Sequence, residues 1–385
     1  MITGVSAGVV SDASPRGGMA HRRLLRKELV GAVADMQARA PALDQGSAFP
    51  AEDIALLRRL GALAAPVPTE LGGLGLGTEP DAALDIMEVL RLIGRGNLSV
   101  GRLYEAHVNA LRLVMRDGTP AQRRRSAVAA REGGLFGFWV TDAPDAPVVL
   151  REDSMLHGAK SPCSGAGHIR HALVTARLAT GATHMLTVEL PPERPADEAA
   201  WLMQGMRAAC NGRVSLDGIS TGRDAVIGEA GAYLRQPEFS AGAWRGMAVA
   251  LGGMEALVGA MREMLVARGR AGDPHQRVRI GEALIALETA RMWVHRAALL
   301  AESGTGDPGD VANGVNLARI AVETAGLDII RLAQRGLGLA AFQFGSLAEL
   351  LLRDLATYLR QPAPDITLTE AATHFTARDL PPLPC

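Results

Sequence analysis

Cysteine is scarce. The 385-residue chain has three, Cys163, Cys210 and Cys385, odd in number and far apart, which argues against a disulfide framework and against a cysteine-built zinc site. A reducing compartment fits this usage, and a cytoplasmic location is expected. Charge of one sign is lacking too. Forty basic residues against 41 acidic ones leave a net charge of −1, so no global field favours nucleic acid or an anionic membrane as a partner. Nowhere do about 18 apolar residues run together, and no membrane span is predicted. Residues 1–18 lack the basic start and continuous apolar run of a signal peptide and read as a disordered leader. Aromatic residues make up only 4% of the chain, against 44 glycines and a hydrophobic content of 48%. A core of that size supports two or three packed layers, built from Ala, Leu, Val and Met on closely packed helices.

What is present is organised around two stretches near the middle, Gly134 to Asp142 (GLFGFWVTD) and Leu156 to Gly165 (LHGAKSPCSG). Each alternates bulky apolar with small polar residues and ends in turn formers, the pattern of a half-buried strand running into a loop. Trp139, Thr141 and Ser164 stand at the strand ends, either facing a cleft or serving as a core aromatic and two turn hydroxyls. Before them, His21 to Ala40, Ala51 to Gly61, Asp81 to Arg95 and Val100 to Asp117 carry helical periodicity. Gly72 to Gly77 (GGLGLG) is a connector, since no strand precedes it and no GK[ST] follows. Arg102 to Asn109 (RLYEAHVN) sets Tyr104, Glu105, His107 and Asn109 among small and apolar residues. Such polar groups need either structural partners or a cavity.

From Leu135 to about Ile227 short apolar runs broken by Gly, Pro and Asp predict a β region of about six to eight strands. His168 and His171 sit three apart there, but without an HExxH spacing or an acidic third ligand they give no metal site. Four long helical stretches follow: Ala243 to Ala267, Gln276 to Ala301, Val311 to Gln334 and Ser346 to Arg360. The expected architecture is α+β and mainly α: a leader over 1–18, an N-terminal helical domain over 19–133, a middle β-barrel or sandwich domain over 134–235, a C-terminal four-helix bundle over 236–361 and a poorly ordered tail over 362–385.

That order, with its strings, resembles the acyl-CoA dehydrogenase superfamily. Leu60 to Leu76 (LGALAAPVPTELGGLGL) is similar to the family's N-terminal LG..G...P...GG.G segment, and Asp117 to Arg125 (DGTPAQRRR) to its FGT..QK.R turn. Trp139 to Asp142 lies where the family has its LTEP strand end, Leu156 to Gly165 resembles LNGTKTFITNG, and Arg353-Asp354 resembles the RD pair. The resemblance implies FAD, with FMN as the alternative, lying between the β domain and the bundle of a homodimer or homotetramer. It places Thr141 and Ser164 beside the flavin ring, with Trp139 on the strand leading there. Arg268 falls on the arginine that reaches a neighbouring subunit's FAD pyrophosphate, and guanidinium suits that role. Gly336 and Gly338 (RGLGL) fall on the glycines of the family's GG.GY loop.

The departures bear on chemistry. Family dehydrogenases abstract a proton α to a thioester with a glutamate at one of two places, and here those places hold Pro362 and Trp244, neither of which titrates. Standard thioester dehydrogenation is therefore not expected. Three readings follow: a flavin-dependent oxidoreductase with a relocated base, a flavin monooxygenase of the same fold, and a non-catalytic binding or scaffold protein. For the first, Glu105 and His107 are the catalytic candidates, while Tyr104, Arg245, Tyr358 and Arg360 are candidates for binding a small-molecule substrate, an acyl thioester among the options.

Overall fold

The computed structural model describes residues 15–191, 194, 196–222 and 224–378. Most of the expected leader lies outside the described residues, and the first helix begins at Pro15. Five helices come first: α1 (Pro15–Gln45), α2 (Ala51–Arg59), α3 (Ala83–Gly96), α4 (Leu98–Asp117) and α5 (Pro120–Arg131). Asn97 caps α4 by accepting from the amides of Ser99 and Val100 at 2.9 and 3.3 Å. The string expected as a turn, Asp117 to Arg125, runs on into α5, where Thr119 and Gln122 form a reciprocal cap.

Nine strands follow among the described residues: β1 (Phe136–Trp139), β2 (Val149–Leu150), β3 (Leu156–His157), β4 (Ala159–Cys163), β5 (His171–Arg177), β6 (Thr183–Glu189), β7 (Ala196–Asp197), β8 (Gly212–Ser215) and β9 (Val226–Ile227). One sheet runs β3-β2-β5-β6-β9, with β1 paired in parallel to β5, and the other runs β4-β8-β7. The count exceeds the expected range because four strands have only two residues, too few for an alternating pattern to show in the sequence.

The chain then returns to helix with α6 (Glu238–Ala241), α7 (Trp244–Ala267), α8 (Pro274–Glu302), α9 (Pro308–Leu337), α10 (Leu347–Tyr358) and α11 (Pro364–Thr376). The last corrects the expected tail over 362–385. Pro364 opens the helix, as proline can at a first helical position. Only Thr367 and Ala371 of α11 are buried, which is why no apolar periodicity announced it. Its residues Ile366, Thr367 and Glu370 form part of a cavity wall.

The abundance of glycine has a packing role where α3 crosses α7. A Cβ on Gly94 would lie 2.3 Å from the carbonyl oxygen of Val249, and one on Gly252 would lie 2.0 Å from that of Arg91. The two backbones touch, and only glycine allows it. Among the described residues no helix is long and apolar enough to cross a membrane.

Candidate functional site

Helix α4 is the spine of the site, because its two polar faces meet different surroundings. Arg102, Glu105, Asn109, Arg112 and Arg116 recur at helical spacing and line one cavity of about 570 Å³, a volume in the range of cofactor and substrate sites. The cavity is closed by Phe138, Val140, Thr141 and Pro162 from the β region, by Glu238, Phe239 and Arg245 from the start of the bundle, by Arg319 of α9, and by Pro362 and Glu370 after α10. Five arginines and three glutamates therefore face one space. Glu105 is buried, and both its oxygens are engaged: Oε2 accepts from Arg102 and Oε1 from the Asn109 amide. Tyr233, on the same wall, has its phenol pushed up to about 12 by burial, so it stays a hydrogen-bond donor at neutral pH.

The β wall is held in place by a buried lysine. Lys160 is fully enclosed, and its Nζ donates to Asp142 Oδ1 at 2.6 Å, to Thr175 Oγ1 at 2.8 Å and to the Val140 carbonyl at 3.3 Å. Burial lowers its pKa, with Asp142 acting in the opposite direction. These bonds tie β4 to the segment leaving β1, and so fix the backbone on either side of Thr141. The residue pattern alone did not assign Lys160 this part.

On the bundle side, Arg245 donates from Nη1 to Asn109 Oδ1 at 3.0 Å and from Nη2 to Glu302 Oε1. Glu302 also accepts from Arg112 and, at 3.0 Å, from the indole of Trp244. A chain of polar contacts thus runs from Arg102 through Glu105, Asn109, Arg245 and Glu302 to Arg112. Burial brings the Arg245 guanidinium down to about 10, which leaves it charged at neutral pH. Trp244 and Pro362 stand where the resemblance puts the family's glutamate; the first is wholly buried, and the second lies on the cavity wall.

The other candidates named from the sequence do not gather here. Tyr104 and His107 point away from the cavity into the core. The Tyr104 hydroxyl donates to the Ala62 carbonyl at 3.0 Å, His107 Nε2 meets the Leu63 carbonyl at 2.7 Å, and His107 Nδ1 accepts from the Phe136 amide at 3.0 Å. With its acceptor nitrogen committed and burial lowering its pKa to about 4, His107 is a neutral core residue and has no reach to a substrate. Trp139 is likewise core: only 1% exposed, it donates its indole N–H to the Ser164 carbonyl at 3.0 Å. The Ser164 hydroxyl donates to Asn211 Oδ1 at 2.8 Å, and Ser164 is not among the cavity's residues. Tyr358 does not line the cavity itself but is buried beside Gly246 in a small adjoining void that shares Ala243, Arg319 and Gln361 with it, with no protein partner for its hydroxyl. Arg360 is exposed and pairs with Glu323 at 2.7 Å. Arg268 ends α7 and donates to the Leu337 carbonyl at 3.3 Å, next to Gly336 and Gly338, so these three meet one another but not the cavity. His168 stacks on Phe49 and His171 on Phe136, which separates the two histidines.

Known proteins share this fold. The family described as acyl-CoA dehydrogenase, N-terminal domain, matches residues 20–132. L-evernosamine nitrososynthase from a Micromonospora species is 26% identical over 325 residues, covering 80% of this chain and 74% of that protein. Among solved structures, KijD3 in complex with FMN and a dTDP-3-amino-4-keto sugar is 20% identical with a TM-score of 0.79, over 96% of this chain and 94% of that one. Glutaryl-coenzyme A dehydrogenase in complex with glutaryl-CoA is 20% identical with a TM-score of 0.80, over 98% and 97%. Residues 20–132 thus match the N-terminal domain of the acyl-CoA dehydrogenase family, and the whole chain shares its fold with these solved structures.

Proposed function

We propose that this protein is a flavin-dependent monooxygenase that acts on a small polar, amine-bearing substrate. The observation that carries the proposal is the lining of the cavity: five arginines and three glutamates face it, while Pro362 and Trp244 occupy the two places where a dehydrogenase of this fold holds its base. An acyl chain would desolvate those charges and offer them no new partner. An amino sugar would engage them. The likeness to a nitrososynthase and to a protein that binds FMN with a dTDP-amino sugar supports the same reading.

Flavin fits the β side of this cavity. Thr141 is exposed on the wall, with Val140 and Pro162 beside it, and these would hold the ring. When bound and reduced, the flavin supplies two electrons, so that molecular oxygen gives one atom to the substrate and the other leaves as water. The chain's own residues hold the substrate: Arg102 and Asn109 keep the Glu105 carboxylate fixed, and protonated Tyr233 offers a donor. Arg268, Gly336 and Gly338 do not line the cavity, so a part in flavin binding would be played toward FAD of a neighbouring copy.

A homodimer or homotetramer is part of the proposal. Val278, Ile285 and Met292 recur every seven residues along α8 and are 60, 70 and 59% exposed, a stripe on the face opposite the one that packs Ala283, Leu287 and Ala290. Exposed apolar stripes of this kind seat partner helices. A second reading, dehydrogenation with a relocated base, draws on Glu105 and Glu238 facing the same cavity.

The test of the monooxygenase reading supplies reduced FMN or FAD, labelled molecular oxygen and a nucleotide-linked amino sugar. Label in the product is expected. Oxygen consumed with no label in any product, across amine and non-amine substrates, would count against it.

A further inference from the structure

A second cavity, of about 300 Å³, adjoins the first, and Arg112, Glu238, Gly242 and Arg245 line both. Its own wall comes from the loop between α8 and α9, including Gly304, Thr305 and Gly306, and from small or aliphatic side chains. Among the described residues no aromatic ring lines it, so it offers no stacking face to a planar base. Two cations, Arg112 and Arg245, are balanced by two carboxylates, Glu238 and Glu302.

At the shared boundary two buried atoms lack a protein hydrogen-bond partner: Arg245 Nε, a donor, and Glu238 Oε2, an acceptor. The cation facing Glu238 Oε2 is Arg116, whose Nη1 stands 3.8 Å away, beyond hydrogen-bond reach. The Arg245 side chain is 3% exposed, so its Nε has no route to bulk water. The Glu238 side chain as a whole is 32% exposed. An unmade donor and an unmade acceptor are costly, and a ligand seated at this boundary would satisfy them.

We propose that the two cavities form one bipartite site and that Arg245 and Glu238 determine its specificity. Arg245 Nε donates to an acceptor oxygen of the ligand, and Glu238 Oε2 accepts from an ammonium or hydroxyl group near it. The second cavity then takes a compact saturated ring bearing amino or hydroxyl groups, and rejects an acyl chain, which satisfies neither atom, and a planar base, which finds nothing to stack on. This deepens the reading above by naming the residues that hold the substrate's polar ring, but it concerns binding and is measured without flavin or turnover.

The experiment uses saturation-transfer NMR on the full chain, with methyl 2-amino-2-deoxyglucoside as the probe and tetrahydropyran as the same ring stripped of its polar groups. Wild-type protein should bind the amino sugar and not tetrahydropyran. Glu238→Gln should weaken binding roughly ten- to a hundredfold, the loss of one charge-assisted hydrogen bond. Thr305→Trp, at an exposed loop position clear of the polar network, should abolish binding by filling the cavity while leaving the melting temperature unchanged. Absence of amino-sugar binding, equal binding of tetrahydropyran, or affinity unchanged in both variants would overturn the proposal. Sugar binding that behaves as expected, without oxygenation of any amine, would sink the monooxygenase reading alone. Oxygenation of an amine with both variants unaffected would sink this proposal alone.

Discussion

The two polar faces of α4 are built from similar residues and do opposite work. On one, Tyr104 and His107 reach backbone groups of other segments, the Ala62 and Leu63 carbonyls and the Phe136 amide. Those partners are fixed by the fold, so the face is finished: it locks α4 to the chain after α2 and to β1. On the other face, Arg102, Glu105, Asn109 and Arg112 meet only side chains and one loop carbonyl, that of Gly77, and their network borders on open cavities. Polar groups satisfied by backbone hold structure, whereas polar groups satisfied by movable side chains beside a cavity can exchange partners with a ligand.

That contrast can be broken from either side. The largest effect is expected for Glu302→Ala, at the far end of the cavity network. Removing this carboxylate leaves buried Arg245 and partly buried Arg112 without their counter-charge, and urea unfolding should show a loss of about 3–5 kcal/mol. A loss below about 1 kcal/mol would mean that solvent already screens the pair. On the finished face, His107→Leu keeps the volume and orphans two backbone groups, at a cost of about 2–4 kcal/mol. The same variant should flatten the acid limb of stability. Because the folded pKa of His107, about 4, lies below its ordinary value of 6.5, its contribution is complete above pH 6.5 and is lost as pH falls toward 4. Activity per folded molecule should stay at the wild-type level. The smallest stability effect belongs to Glu105→Gln, about 1–2 kcal/mol, since the amide oxygen can still accept from Arg102 while its NH2 loses the bond from Asn109. Turnover should fall at least about tenfold in the same variant if Glu105 holds substrate. Equal turnover would move the working carboxylate to Glu238.

The stripe Arg102, Glu105, Asn109, Arg112, Arg116 is legible in the chain at helical spacing, and projecting it around a helix axis sets Glu105 on one side and His107 on another. What the sequence could not supply was the identity of the partners. Whether a histidine two residues from a glutamate faces a substrate or a carbonyl depends on a loop some 44 positions away. The long helices and the longer strands followed from periodicity, because each buries one apolar face. The two-residue strands and α11 did not, because their pairing and polar contacts leave no periodic trace. Lys160 reads as an ordinary basic residue until the Asp142 carboxylate and the Thr175 hydroxyl are seen around it.

The central claim is that the cavity has kept a place for flavin and given up the proton acceptor of a dehydrogenase. Anaerobic titration of flavin-loaded protein with a panel of short-, medium- and long-chain acyl-CoA esters tests it most directly, with the oxidised flavin absorbance as the readout. Loss of a positioned base costs about 10²–10⁴-fold, so the absorbance should persist through the panel, in the wild type as in Glu105→Gln and Glu238→Gln. Rapid bleaching of the wild type by any of these esters would contradict the account, and bleaching that disappears in one of the two variants would identify the carboxylate that replaced the lost base.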